Sequence, residues 1–153
     1  MKAALYAVVC AAYIAAGIID LTNRGIALRR PGTLFHIAGV GDLWTDDQDL
    51  PRALSSVPED GCAVLLSHNP DYLEDMDDRR VKLMLAGHTH GGQVDIPFLG
   101  APVVPSKFGR RYASGLVERD WKRVYVTRGV GMSVMPVRFR CRPEVSLLTF
   151  EPA

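Results

Sequence analysis

The chain has 153 residues, of which 48% are hydrophobic and 23% charged, and its formal net charge is +1. This composition is that of an ordinary globular protein and predicts a single domain, residues 1–153, with a real hydrophobic core. The net charge points to no class of partner, and the absence of repeats or low-complexity tracts excludes repeat architectures.

The apolar start of the chain, residues 1–19, has two interpretations. Lys2 followed by the uncharged run Ala3–Ile19 is typical of a signal peptide or a short membrane anchor. A membrane span needs about 20 apolar residues, so this run is marginal. We favour an apolar helix, Ala11–Ile18, buried against the sheet and turning at Gly17 into a strand, Ile18–Leu21.

The next segments predict short elements. Asn23–Pro31 is expected to be a turn with short strand character, and Leu34–Val40 a strand that ends near glycine. Trp44–Asp49 is expected to be an acidic loop, and Leu50–Val57 a short helix. The cysteines Cys10, Cys62 and Cys141 are odd in number and widely spaced, so they favour a reducing compartment without disulfides.

A βαβ unit is predicted in the middle of the chain. Two short apolar runs, Ala63–Leu66 and Val81–Ala86, are typical of buried strands. Between them, Asn69 is suited to cap a helix that begins at Pro70, and Asp71–Arg80 would be that helix. Strands joined in this way run parallel, so their carboxyl ends lie at the same edge of the sheet.

Three histidines follow these two strands. His68 comes after the first, and His88 and His90 come after the second, framed by glycines. Neutral imidazole is a common ligand of Zn, Mn and Fe, and such a cluster can reach one ion or two ions roughly 3.5–4 Å apart. The alternative is a polar turn with surface histidines, but their shared edge favours a metal site.

The C-terminal third predicts strands and a basic surface. Arg123–Arg128 and Val145–Phe150 are expected to be strands, and Ile96–Pro105 a proline-rich loop. Ten basic residues lie from Lys107 to Arg142. They are suited to a phosphorylated substrate or an anionic membrane surface, or are simply solvated. They lack interleaved aromatic side chains, so nucleic-acid binding is not indicated. Arg128 either contacts phosphate or ends a surface strand.

The two histidine segments, Ser67–Asp71 and Gly87–Gln93, together resemble the second half of a calcineurin-like metallophosphoesterase domain. The likeness covers roughly residues 16–150 and points to the bacterial branch of membrane-associated and lipid-linked phosphoesterases. Its other segments are Gly39–Trp44, Pro105–Gly109, Tyr112–Leu116, Val126–Gly131, Pro136–Phe139 and Arg142–Val145. The resemblance implies an α/β fold: a partial sandwich of mixed β-sheet layers with flanking helices, its N-terminal half missing.

The sequence departs from the family pattern in its first half. Family members carry Asp-x-His, Gly-Asp and Asn-His motifs there, which supply carboxylates, an asparagine and the catalytic histidine. In this chain Leu34 stands two positions before His36, and no asparagine precedes a histidine. Gly41 stands where an acidic residue is expected. No catalytic residue is therefore assigned, and the substrate-binding residues stay unknown.

The resemblance implies a hydrolase that uses two divalent ions (Mn, Fe or Zn). His68 and His88 would bind one ion and His90 the other. The implied substrate is a phosphorylated small molecule or a lipid-linked phosphoester, in the cytoplasm or at a membrane. The alternatives are an inactive metal-binding remnant, a fragment that needs an N-terminal partner, or a gene fragment without function.

Overall fold

Six strands form one mixed sheet in the computed structural model, which describes residues 12–30 and 33–151. The spatial order is β1-β2-β3-β4-β6-β5, with β2, β3, β4 and β6 parallel and the edge strands β1 and β5 antiparallel to their neighbours. This confirms the predicted α/β class with a mixed sheet. In chain order the strands are β1 (Arg24–Arg30), β2 (Thr33–Gly39), β3 (Ala63–Leu66), β4 (Val81–Ala86), β5 (Gly115–Arg119) and β6 (Lys122–Val126).

The first edge strand is longer than the sequence predicts. The expectation of a turn with short strand character over Asn23–Pro31 is wrong, because β1 pairs with β2 along seven residues, from Arg24 with Gly39 to Arg30 with Thr33. The ladder supplies the backbone hydrogen bonds that make this arginine- and glycine-containing segment extended. The local sequence pattern does not show that β2 will pair with this segment.

The helix that follows β2, α1 (Leu50–Ala53), ends before the predicted limit at Val57. The Asp49 carboxylate caps it by accepting a hydrogen bond from the Arg52 backbone N–H at 3.0 Å. The next turn does not form. The Arg80 guanidinium instead donates to the main-chain oxygens of Leu54 and Val57, at 3.2 and 2.9 Å.

The second helix, α2 (Tyr72–Asp75), is a single turn, so the predicted helix Asp71–Arg80 is wrong beyond its start. Met76 already has extended backbone, with ψ 118°. The Asp78 carboxylate accepts hydrogen bonds from the Arg80 backbone N–H at 2.9 Å and from its guanidinium at 2.7 Å. This turn offers the backbone an alternative to the helix, and it leads directly into β4.

The two central strands agree with the prediction. β3 and β4 occupy the predicted residues and lie next to each other in parallel. Strand β6 also lies within one or two residues of its predicted bounds, and it pairs in parallel with β4. The hairpin partner β5 was not predicted. β5 pairs with β6 in antiparallel orientation at the edge of the sheet.

The predicted strand Val145–Phe150 is wrong. These residues belong to no strand, and the side chains of Val145 and Leu147 are 88% and 94% exposed. An apolar run becomes a strand only where a sheet edge and a buried face accept it. Within the described residues no strand pairs with this segment, although the Phe150 ring packs against Phe35 with centroids 5.3 Å apart.

The start of the described chain is exposed rather than buried. Residues 12–15 are helical and Gly17 makes the following turn at φ 79°, as the sequence indicates. The side chains of Tyr13, Ile14, Ile18 and Ile19 are each more than half exposed, so the expected burial of this helix against the sheet is wrong here. The part of that prediction on residues 1–11 lies outside the described residues. Among those that are described, no helix has the length and apolar character to cross a membrane.

The strand predicted at Ile18–Leu21 is also wrong, because these residues form no ladder. β1 already occupies the edge beside β2. The backbone of Leu21 instead passes over Gly39. A Cβ atom at position 39 would lie 2.7 Å from the main-chain oxygen of Leu21.

The hydrophobic core lies on one face of the sheet. Ala38, Leu65, Met84 and Val124 stand in register across the four parallel strands, and each is fully buried. The opposite face is less covered. There Leu66, Leu85, Tyr125 and Leu116 stand in register, and Leu66 and Leu116 are 37% and 60% exposed. The core face is covered by Ala53, Leu54, Leu73, Met76 and Tyr112.

Candidate metal centre

His68 and His88 meet at the carboxyl edge of the sheet, where β3 and β4 end. The backbone N–H of Gly87 donates to the His68 oxygen at 3.1 Å, which ties the two loops together. Nε2 of His68 lies 3.2 Å from Nδ1 of His88, and their ring centroids are 4.9 Å apart. The expected proximity of these side chains is therefore observed.

The separation of the two nitrogens suits a shared ion. Two imidazole nitrogens bound to one tetrahedral ion at about 2.0–2.1 Å lie roughly 3.3 Å apart. The observed 3.2 Å is close to that distance. Without an ion, the same contact is a hydrogen bond in which one ring donates and the other accepts.

Two further imidazole nitrogens are buried without a hydrogen-bond partner in the described part of the chain. They are Nε2 of His88 and Nδ1 of His90. Buried polar atoms are normally paired. An unpaired imidazole nitrogen at this edge therefore fits a bound partner, such as a metal ion, that is not part of the chain.

The electrostatics favour neutral His88. Burial lowers the pKa of this ring below its usual value, and neighbouring His68 lowers it further. The carboxylates of Asp71 and Asp42 act in the opposite direction, and the net pKa shift is downward. The neutral imidazole is the form that binds metal, so the site favours the ligating state.

The histidine loop has left-handed backbone. His88, His90 and Gln93 have φ values of 66°, 51° and 59°. Each such non-glycine residue costs on the order of 1–3 kcal/mol and persists only where the surroundings impose it. Gly91, at φ 65°, is required as glycine, because a Cβ atom would lie 2.7 Å from the Cys141 sulfur.

Groups far along the chain hold this loop. The hydroxyl of buried Thr89 donates to the Ala113 oxygen at 2.8 Å. The Cys141 thiol donates to the His90 oxygen at 3.2 Å, and the Arg138 guanidinium reaches the same oxygen at 3.3 Å. Arg138 lies in one of the resemblance segments, but the sequence indicated no role for it.

Trp44 is a second residue that sequence reasoning missed. Its ring stands edge-on to His88, with centroids 4.6 Å apart, and its side chain is 70% exposed. The Asp42 carboxylate holds the turn by accepting from the Trp44 backbone N–H at 2.7 Å. The acidic loop of the sequence prediction therefore reaches the candidate centre through an aromatic side chain.

The loop that carries Trp44 is held by Asn23. Its amide oxygen accepts from the backbone N–H groups of Gly41 and Asp49, each at 2.9 Å, and its amide nitrogen donates to the Asp47 oxygen at 2.6 Å. A Cβ atom on Gly41 would lie 2.1 Å from that Asp47 oxygen. The acidic residue that the family pattern suggests at Gly41 therefore has no room in this loop.

The expected set of three ligands is only partly assembled. Within residues 12–30 and 33–151, no group of three or more His, Cys, Asp or Glu side chains is arranged to hold a metal ion. His68 and His88 form the close pair, and His90 lies on the same loop as His88 with its Nδ1 buried and unpaired among the described residues.

Comparison with curated proteins identifies the family. The chain is 40% identical to the phosphodiesterase YaeI of Escherichia coli (strain K12), and the match covers 87% of this chain. It is 36% identical to the uncharacterized metallophosphoesterase YkuE of Bacillus subtilis (strain 168), and that match covers 78% of this chain. It is 29% identical over 76% to the UDP-2,3-diacylglucosamine pyrophosphatase LpxG of Chlamydia trachomatis serovar D. This chain belongs to the metallophosphoesterase family.

The match covers 47% of YaeI, 42% of YkuE and 38% of LpxG, so this metallophosphoesterase chain spans less than half the length of these relatives. No family model and no solved structure matches the chain.

Proposed function

We propose that this chain contributes to the divalent-metal centre of a phosphoesterase, which hydrolyses phosphomonoester, phosphodiester or pyrophosphate bonds. His68 and His88 would bind one ion, and His90 a second. The observation that carries the proposal is the pair of imidazole nitrogens 3.2 Å apart at the carboxyl edge of two parallel strands.

The ions, Mn, Fe or Zn, would supply Lewis-acid stabilisation of the charge that develops on a phosphoryl group. The chain's own residues orient the ligands. Gly87 links the two histidine loops, Arg138 and Cys141 hold the backbone of His90, and the Trp44 ring packs edge-on against His88.

The proposed substrate class is inferred from the names of two relatives. One is named a phosphodiesterase and another a pyrophosphatase of UDP-2,3-diacylglucosamine. For this chain we propose a phosphorylated small molecule or a lipid-linked phosphoester, acted on in the cytoplasm or at a membrane surface, by residues 1–153 as one domain.

The alternative is a metal-binding chain that is inactive alone and needs a further segment. Two observations favour it. No third protein ligand group joins the histidine pair in the described residues, and Gly41 leaves no space for a carboxylate.

Calorimetric titration of the purified chain with Zn²⁺ and Mn²⁺ tests the ligand assignment. His68→Ala and His88→Ala should each weaken binding by about tenfold or more, since even an outer-shell change costs about 10- to 100-fold. His36→Gln is the matched control, because His36 lies in β2, in register with Ala63 at the start of β3, away from the carboxyl edge. Equal affinities for all three variants and the parent would exclude these ligands.

Hydrolysis of bis(p-nitrophenyl) phosphate with Mn²⁺ distinguishes a chain that is an active phosphoesterase from one that binds metal but is inactive alone. The chain alone should remain near the metal-only background, since the bridging carboxylate and the catalytic histidine of the family pattern are absent from it. Robust turnover that His88→Ala abolishes would instead establish the enzyme function for this chain alone.

A further inference from the structure

A cavity adjoins the histidine loop at Gly91. Its volume is about 340 Å³, within the usual range for small-molecule sites, and Gly91 and Cys141 form part of its wall. Three arginines, Arg110, Arg128 and Arg140, also line it.

The charges of this arginine pocket are mostly uncompensated. Among the residues that the structure describes, Asp95 is the one acidic residue lining it, against three guanidinium groups. Nε of Arg128 lies 3.6 Å from a carboxylate oxygen of Glu144, which makes a loose ion pair. Arg140 forms no ion pair within residues 12–30 and 33–151, and Arg110 donates to a main-chain oxygen, that of Leu99, at 2.5 Å.

The shape of the pocket depends on close backbone approach. Gly100 lies beneath the Arg110 guanidinium, and a Cβ atom there would meet Nη1 at 2.8 Å. Gly91 lies against Arg128 in the same way, with a Cβ distance of 3.0 Å to Cγ. Both glycines have positive φ, so a side chain at either position would strain the backbone and narrow the pocket.

We propose that this arginine pocket binds a phosphate group beside the metal centre, and that it receives a phosphoryl group of the substrate other than the one that is cleaved. Guanidinium groups present several N–H donors in a planar fork that matches phosphate oxygens. The role in substrate binding rests on the proposed function, whereas binding of phosphate itself does not.

The test is titration of the full chain with inorganic phosphate in the presence of EDTA, followed by nuclear magnetic resonance of the arginine side chains. Arg110→Gln and Arg140→Gln should each weaken phosphate binding by about fivefold, a modest change because both side chains are exposed and partly screened. Asp95→Asn should strengthen it. Arg123→Gln, on a surface arginine paired with Glu118 at 2.8 Å, is the matched control and should change nothing.

His68→Ala separates this proposal from the metal centre, since it should leave phosphate binding in EDTA unchanged. Loss of phosphate binding in His68→Ala, or equal affinities in the parent and both pocket variants, would overturn the arginine pocket. Circular dichroism of each variant confirms that it is folded as the parent is.

A second titration, with glycerol 3-phosphate, tests whether the pocket accepts a phosphate ester, as a substrate would present, or only inorganic phosphate. Binding comparable to that of inorganic phosphate, and weakened by Arg140→Gln, supports a substrate phosphoryl group. A pocket that takes inorganic phosphate and rejects the ester would overturn the substrate role.

Discussion

The guanidinium group of Arg138 joins separate stretches of backbone beside the candidate metal centre. It donates to the main-chain oxygens of His90 at 3.3 Å, Arg128 at 2.8 Å, Gly131 at 2.5 Å and Cys141 at 3.3 Å. A planar group with five N–H donors can serve several acceptors at once, whereas an ammonium group cannot match that fork. Arg138 therefore acts on the centre through the backbone of His90.

Arg138→Lys retains the charge and removes the planar fork. We expect the free energy of unfolding to fall by about 1.5–3 kcal/mol, and zinc affinity to fall with it because the His90 loop loses its support. Urea unfolding and zinc calorimetry measure the two effects. Arg142→Lys, at an exposed position, is the control. A variant that loses stability but binds zinc as the parent does would limit Arg138 to a structural role.

At the scale of elements, one carboxylate connects α2 to the hairpin side of the sheet. Glu74 accepts a hydrogen bond from the Tyr112 hydroxyl at 2.6 Å and pairs with Arg119 at 3.1 Å. The Tyr112 hydrogen bond is the main cause that holds the pKa of Glu74 below its usual value, while burial opposes it. Burial in turn raises the pKa of Tyr112.

This pairing makes stability depend on pH. Because the pKa of Glu74 is lower in the folded state, its contribution to stability is complete above the unfolded pKa of about 4.3 and is lost as pH falls through the folded pKa. Tyr112→Phe should cost about 1–2 kcal/mol at pH 7, and the difference from the parent should shrink below about pH 4.

Urea unfolding between pH 3 and pH 7 measures this dependence. Tyr13→Phe is the matched control, since the Tyr13 side chain is 55% exposed. A Tyr112→Phe difference that stays constant across the whole pH range would show that the hydroxyl does not act through Glu74.

At the scale of the whole molecule, one sheet face is only partly covered and several apolar segments are exposed in the described residues. Leu116 on that face is 60% exposed, and Ile14 and Ile19 near the start are 59% and 56% exposed. Exposed apolar surface of this kind is typical of an interaction face. The chain also spans less than half the length of its relatives.

We therefore expect this face to accept the part of the Escherichia coli relative that the chain does not match. Co-expression of the two should give a complex with Mn²⁺-dependent phosphodiester hydrolysis above that of either part. Leu116→Lys should weaken the complex, because it places a charge on the buried face of the interface. Val103→Lys, at a loop position 71% exposed, is the control. Failure of the parts to associate, or equal association of both variants, would contradict a role for this face.

The amino-acid sequence by itself determined the two central parallel strands and the meeting of His68 with His88, although the helix predicted between those strands is only one turn long. The reason is that the required signals are local: two apolar runs of strand length, Asn69 and Pro70 after the first, and glycines around the histidines. Parallel strands place their carboxyl ends together whatever the remaining chain does.

Only the tertiary structure decided which distant groups support that edge and which apolar runs find partners. Arg138 and Cys141 lie about fifty positions from His90, and Asn23 lies more than twenty from Asp47, so no local pattern connects them. For the same reason β1 is a strand and residues 145–150 are not. An extended segment needs a free sheet edge, and the pairing of the whole chain determines where such an edge exists.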